Sequence, residues 1–470
     1  MTVVDTPTTA TSGPLNVSGV FPHLAQIADL GPPRSEIGVG SLMPWAGYLY
    51  VQNYNSHKEG SGRGVSLRRI APDLSMEIVP ETLGVDGTYT NRFVHHTSNM
   101  LVIGPHVIDP DHNIRTVPEL RPLRVCGTTR HLTDANLVYV LCMEGELFEL
   151  NPVTLECVQI ADLNVELGTS GEGAVHYKDC YSSFGRLVVT SNEYHEPDWA
   201  GEQAEGRLAE FDGTTWTVIE KKPFISIGGR HEFGGTIFAN GWDQASAILK
   251  VYTDSDKKWT TYRLPKASHC FDHKWQTEWP RIRETEHERL LMDHHGMFYE
   301  ISPFAYGGRV WGVRPISTHL AVLGDFCSWR GMLVTGADHA SPNNGISPTT
   351  AEPQSGLWFG KTDDLWSFGK PTGWGGPWWL TDVEAGEPSD PYLMTGFEHK
   401  CVHIENQGDV AANVRIEIDF HGHGRFSVYE TVAVEAGGAV THTFPTGFSA
   451  HWVRLVSDVD TTMSGQFFYT

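Results

Sequence analysis

The feature that most constrains this chain is how short its apolar runs are. They are rich in Val, Ile, Leu, Tyr and Trp and are bounded by Gly, Asp, Asn or Pro. Such a run is long enough for a strand and too short for a helix that must bury one face. Long helical periodicity is absent, and 49 Gly and 27 Pro supply frequent turns. One strand pattern recurs seven times, at 47–51, 100–104, 137–140, 186–190, 247–251, 289–292 and 332–335. Successive copies start 53, 37, 49, 61, 42 and 43 residues apart. A propeller blade has a period of roughly 40–50 residues.

The third and fourth copies read as whole blades. In the third, 137–142 is a strand, Glu144-Gly145 a turn, 147–150 a strand, Asn151-Pro152 a turn, and 155–160 the last strand. In the fourth, 186–191, 207–211 and 216–220 are strands with Asp212-Gly213 between the last two. One blade cannot bury both of its faces, and stacking blades around an axis solves that while protecting sheet edges. The expected fold is all-β, a seven-bladed β-propeller over 21–390. Composition shifts at Gly386-Glu387-Pro388-Ser389-Asp390-Pro391, and alternating segments follow to the C-terminus. A small C-terminal β-sandwich is expected over 391–470, and a flexible tail over 1–20.

Charge removes some functions. The formal net charge is −23, which disfavours nucleic acid and anionic membrane as partners. No apolar run is long enough for a membrane span. The first residues lack the basic and apolar regions of a secretory signal, so a cytoplasmic location is expected. Seven scattered cysteines with no C-x-x-C pair fit reduced, buried thiols. The Gly60-Ser61-Gly62-Arg63-Gly64 stretch has no helix after it and is not a phosphate loop, so no nucleotide or organic cofactor is expected.

The 23 histidines carry the chemistry. His95-His96, His131, His176, His231, His269 and His273 precede recurring strands, and His294-His295 follow one. His57 and His339 flank the first and last copies. Polar residues at one phase of a propeller repeat would gather at one end of its channel. Adjacent residues on a strand point to opposite faces, so one of each adjacent pair is expected inside. The candidate catalytic set is His95, His131, His176, His273 and His295. Imidazoles can exchange protons near neutral pH. The set His131, His176, His273 and His295 could instead hold a divalent metal (Ca, Mn or Zn). The plain alternative is histidines hydrogen-bonded to backbone.

Arg92, Arg130 and Arg281 lie beside these histidines, with Arg230 and Arg283 nearby. A guanidinium fork matches a carboxylate. Trp242, Trp275, Trp279, Trp311, Trp329, Trp374, Trp378 and Trp379 fall near loops, where a flat apolar ring can support a sugar. Trp242, Trp275 and Glu278 complete the expected substrate-binding set with Arg92, Arg130 and Arg281. Glu172, Glu193, Glu278 and Asp325 are carboxylate candidates for hydrolysis. The plain alternatives are Arg–Glu pairing between blades and Trp packing within them.

This His/Arg/Trp set on a propeller resembles carbohydrate-active enzymes, namely ulvan lyases, the rhamnose–glucuronate lyase and oligogalacturonate lyases, with a related glycosidase. The resemblance is architectural and covers the propeller. Arg130-His131-Leu132-Thr133-Asp134, Leu264-Pro265-Lys266-Ala267-Ser268-His269, Thr277-Glu278-Trp279-Pro280-Arg281-Ile282-Arg283 and the 386–391 segment look like those of a broad group of bacterial proteins with little assigned function. The resemblance implies a lyase that cleaves uronic-acid oligosaccharides by β-elimination. In those enzymes His with Tyr or Arg takes the C5 proton while another cation neutralises the carboxylate. A glycoside hydrolase on the same scaffold is the first alternative, and a non-enzymatic interaction propeller the second. The expected partner is an oligosaccharide. The edge strands of the C-terminal domain could also mediate a dimer.

Overall fold

The structure is a computed structural model. It describes residues 19–20, 26–27, 34–57, 67–82, 92–169, 174–194, 205–230, 235–268, 280–286, 289–303, 305–306, 309–310, 312–319, 321–340 and 354–470. The chain is all-β, its mostly antiparallel sheets including several four-stranded ones of the propeller-blade kind, and among the described residues the one α-helical turn is Leu163–Glu166. Among the described residues no helix is long and apolar enough to cross a membrane.

Each of the seven recurring sequence segments overlaps a strand. They contribute to Tyr48–His57, Met100–Ile103, Val138–Cys142, Arg186–Tyr194, Ala247–Thr253, Arg289–His294 and Met332–Ala340. β-branched and aromatic side chains fit the pleated, buried surface there. Val138–Cys142 is buried along its whole length. The third blade is a simple meander of Val125–Arg130, Val138–Cys142, Glu146–Leu150 and Cys157–Asp162. Its turns are those read from the sequence: Gly145 has φ +107°, and Asn151 Oδ1 accepts from the Val153 N–H. The fourth is Ala174–Ser183, Arg186–Tyr194, Gly206–Phe211 and Trp216–Glu220.

The chain forms two compact units, residues 1–194, 206–220 and 321–364 in the first and 195–205, 221–320 and 365–470 in the second. The first holds the blades just described. It also holds a sheet in which Arg34–Trp45 pairs with both Tyr48–His57 and Met332–Ala340, joining distant stretches of sequence.

The second unit holds the sheet Arg281–Glu286, Arg289–His294, Met297–Ile301 and Val313–Thr318. It also holds Phe224–Gly228, Ile237–Trp242, Ala247–Thr253 and Lys258–Leu264. Lys258–Leu264 continues through a parallel bridge into Tyr392–Leu393, then Trp452–Ser457, Ala412–Asp419 and Ser427–Val434. A separate sheet joins Gly373–Val383, Thr461–Tyr469, Lys400–Asn406 and Ala439–Thr443. Val402, Ile404 and Phe467 of that sheet share one apolar core with Val414, Ile416 and Leu455 of the other.

Arg263 anchors the 386–391 segment to this unit. It grips Asp243 with two nitrogens at 3.0 Å and reaches Asp390 at 3.0 Å, while its N–H donates to the Pro391 carbonyl. Arg263 and Lys222 hold the Asp243 carboxyl well below its usual range despite burial.

Candidate functional site

The strand Arg289–His294 turns back into Met297–Ile301 through only two residues, His295 and Gly296. Both have positive φ, +49° and +78°, the backbone signature of a type I′ hairpin. This turn explains a departure from strand alternation. His294 and His295 are both buried, with rings 4.9 Å apart, because His295 sits in the turn and not on the strand. At His95-His96 alternation holds: His95 is 4% exposed and His96 is exposed.

Three further segments meet this turn. The Ala267 N–H donates to the His295 carbonyl. Lys266 and Trp374 exchange two backbone hydrogen bonds of 2.8 and 2.9 Å. The Lys266 ammonium lies 5.5 Å from the ring centre of Trp242 and 5.2 Å from that of Trp374, held between two indoles. The Trp242 ring meets His295 edge-on at 6.1 Å. Arg281 is opposite Asp293 in the sheet register and fully buried. Asp293 bonds His319 Nε2 at 2.9 Å.

The electrostatics follow from burial beside a cation. Burial, opposed by the nearby Gly241 carbonyl and assisted by Lys266, lowers His294 to about 3. Burial, His294 and Lys266 hold His295 well below its usual range. Both rings are therefore neutral near pH 7. The Gly241 carbonyl favours His294 without the geometry of a hydrogen bond, and neither ring nitrogen of His294 has a hydrogen-bond partner among the described residues. The same is true of the Trp242 indole N–H and one Asp293 oxygen. Each buried polar group without a partner costs about 1–3 kcal/mol, so several within one cluster mark a place where a ligand's polar atoms would be stabilised.

The other candidates are distributed differently. In the first unit His95 has both nitrogens engaged, by Ser98 Oγ at 2.6 Å and the Ala135 carbonyl at 2.9 Å. His131 Nε2 meets Glu149 at 3.0 Å, and its Nδ1 accepts the Thr133 and Asp134 N–H groups. Both rings therefore organise the 131–137 loop. His176 lies near the start of Ala174–Ser183, 3.3 Å from Arg124, which precedes the start of Val125–Arg130. His95 and His131 lie at or just past the C-terminal ends of the corresponding first strands, so His176 does not join them. Burial, Lys178 and Arg124 lower His176 to about 2.

Arg92 bonds Asp325 at 2.7 Å and the Phe326 carbonyl at 3.2 Å. Arg130 ends its strand, and its carbonyl accepts from Ser182 Oγ at 2.7 Å. Arg281 donates to the Pro280 carbonyl at 2.7 Å. Trp329 and Trp378 are packed inside, whereas Trp379 is exposed. His231, His269, His273, Glu172, Trp275, Glu278, Trp279 and Trp311 lie outside the described residues, as do the side chains of His57, Glu193 and His339. Among the described residues no group of three or more His, Cys, Asp or Glu side chains is arranged to hold a metal ion. The cysteines that are described are all free thiols. Sequence reasoning missed Lys266 as a site residue: it lies two residues past the strand Lys258–Leu264, and only its backbone pairing with Trp374 shows that it joins the tryptophans.

No family model matches the chain, and no curated protein matches it. Similar solved structures include Trypanosoma rangeli sialidase, 9% identical over 93% of this chain and 91% of that one, with TM-score 0.34. RRP9 WD40 repeats are 10% identical over 71% of this chain and 98% of theirs, with TM-score 0.42. A luciferin-regenerating enzyme is 11% identical over 58% of this chain and 91% of that one, with TM-score 0.37. At this level of likeness they carry no inference about activity.

Proposed function

We propose that this chain is a carbohydrate-active enzyme that cleaves uronic-acid oligosaccharides by β-elimination at the His294–His295 turn. The observation that carries the reading is the neutral imidazole pair beside Lys266, with the His294 and Trp242 nitrogens lacking hydrogen-bond partners among the described residues. The proton on C5 of a uronate is poorly acidic until its carboxylate is neutralised. Lys266 supplies the positive charge that stabilises the enolate-like intermediate. His294 takes the proton, and the electrons of the C–H bond become the C4=C5 double bond. The C4–O bond then breaks, and the leaving oxygen takes the proton from the imidazolium, so one ring serves as base and then as acid. The low basicity of His294 in the free protein comes from burial and Lys266. A bound carboxylate opposes both and raises its proton affinity.

The test is absorbance of the conjugated double bond during incubation with a panel of uronate-containing oligosaccharides, with and without chelator. The expected result is a rise that falls at least about 100-fold in His294→Ala, within the usual range for losing a general base, while near-ultraviolet circular dichroism is unchanged. New saturated sugars without the rise would replace elimination by hydrolysis. No product across the panel would remove the enzymatic reading. Loss of the rise with chelator would assign a metal to the carboxylate-neutralising role in place of Lys266.

A further inference from the structure

A second feature of the same unit has the chemistry of a sugar-acid site and lies outside the histidine cluster. Arg314, Pro315, Trp366, Ser367, Lys370 and Gly396 line a cleft of about 370 Å³. That volume lies at the small end of the roughly 300–1,000 Å³ typical of small-ligand sites. Its walls are fixed by close backbone approach. Gly396 has φ +92°, and a Cβ there would meet Pro315 Cγ at 2.5 Å. A Cβ on Gly369 would meet Thr318 Oγ1 at 2.9 Å. The Thr318 hydroxyl also donates to the Lys370 carbonyl at 3.1 Å.

The charges in the cleft leave one cation over. Lys370 is paired with Glu398. Glu300, opposite Arg314 in the strand register, is 3.3 Å from Arg289. Among the described residues no carboxylate pairs with Arg314. Its guanidinium instead lies over the Trp366 ring, 4.9 Å from the centroid. Trp366 remains 48% exposed, so the indole keeps apolar surface for a second partner.

We propose that this cleft binds one uronate residue of an acidic oligosaccharide, with Arg314 on the carboxylate and Trp366 against the apolar C–H face of the sugar ring. A guanidinium fork matches a carboxylate in two hydrogen bonds. One uncompensated positive charge matches one singly charged sugar acid. A phosphate carries more charge and is opposed more strongly by a chain of net charge −23. The choice of a uronate among carboxylates rests on the proposed function. The cleft then holds the polymer while another residue of it is cleaved.

The test is titration calorimetry of the full chain with tri-galacturonate, the neutral galactose trisaccharide and uridine monophosphate. The wild-type protein, Arg314→Gln, Trp366→Ala and His294→Ala are compared. Arg314 and Trp366 are surface residues, so both variants are expected to fold. The proposal requires tri-galacturonate to bind, and to bind at least about tenfold more weakly to Arg314→Gln and to Trp366→Ala. It also requires His294→Ala to retain that binding. It is overturned by equal binding of the neutral trisaccharide, by preference for the nucleotide, by absence of binding, or by indifference to Arg314→Gln. Arg314-dependent binding with no turnover supports the cleft and overturns only the lyase reading. Turnover without Arg314-dependent binding does the reverse.

Discussion

At the scale of single residues, function and structure divide by whether hydrogen-bonding capacity is used up inside the protein. Arg92 shows the structural case. Its Nε donates to Asp325, which is fully buried and also accepts the Leu42 N–H at 2.8 Å. Removing Arg92 would take a charged hydrogen bond from a buried carboxylate, a loss of up to about 3–5 kcal/mol. Arg92→Ala is therefore expected to lower stability by that amount in urea unfolding followed by circular dichroism. A loss under about 1 kcal/mol would mean that Asp325 is solvated or protonated once Arg92 is gone. The sequence marked Arg92, His95 and His131 as site candidates because residue type and position were all it offered. The partners that occupy them, Asp325, Ala135 and Glu149, are 233, 40 and 18 residues away along the chain. No spacing rule reaches that far. His294 was legible as half of a pair, but that its nitrogens lack partners among the described residues emerges only from the packing around it.

Elements were the most legible level, because a strand declares itself through a few consecutive apolar and β-branched side chains. Each of the seven recurring segments overlaps a strand. Their place within each sheet was not legible. Met100–Ile103, Val138–Cys142, Arg186–Tyr194 and Arg289–His294 are second strands, whereas Ala247–Thr253 is the third of its run. One strand's sequence does not record how many partners precede it, so counting by phase equates residues from different places in their sheets. Hairpin turns are a second element-level signal. Ala46-Gly47, Phe184-Gly185, His295-Gly296 and Arg330-Gly331 all link paired strands with two positive-φ residues. Asn occupies that first position more readily than Ala. Ala46→Asn is thus expected to stabilise the chain by about 0.5–1 kcal/mol, on the scale of removing such backbone strain. Gly185→Ala adds strain alone, since its Cβ would meet nothing within 4 Å. Gly296→Ala adds contacts of 2.8 Å to Ser268 and 3.1 Å to the His319 carbonyl. Of the two alanine variants, Gly296→Ala should therefore lose clearly more in thermal unfolding. Equal losses would show that the Ser268 side of the turn yields without cost.

For the molecule as a whole, the relevant sum is over buried groups that share a direction of titration. Burial lowers His106 and His294 to about 3 and His295 well below its usual range. Above pH ~6.5 these rings are neutral in both the folded and unfolded chain, so they contribute no pH dependence. As pH falls from there towards 3, the unfolded chain binds protons that the folded chain excludes. Stability then falls with pH, by up to about 1.4 kcal/mol per pH unit for each ring. Carboxylates held low by partners, such as Asp243 beside Arg263 and Lys222, act in the same direction. Their effect begins only near the ordinary carboxylate range of about pH 4, so the histidines dominate between pH 6.5 and 5. Urea midpoints measured at half-unit steps from pH 7.5 to 5 are expected to stay level and then decline below about 6.5. His106 is a suitable control. It is fully buried, bonds the Thr116 hydroxyl at 3.0 Å and lies outside the candidate site. His106→Asn keeps a polar group there and removes one titrating ring, so its decline should be shallower by about one ring's share. An unchanged slope in that variant, or a wild-type midpoint that holds level down to pH 5, would show that these imidazoles gain protons without unfolding and that the interior around them admits water.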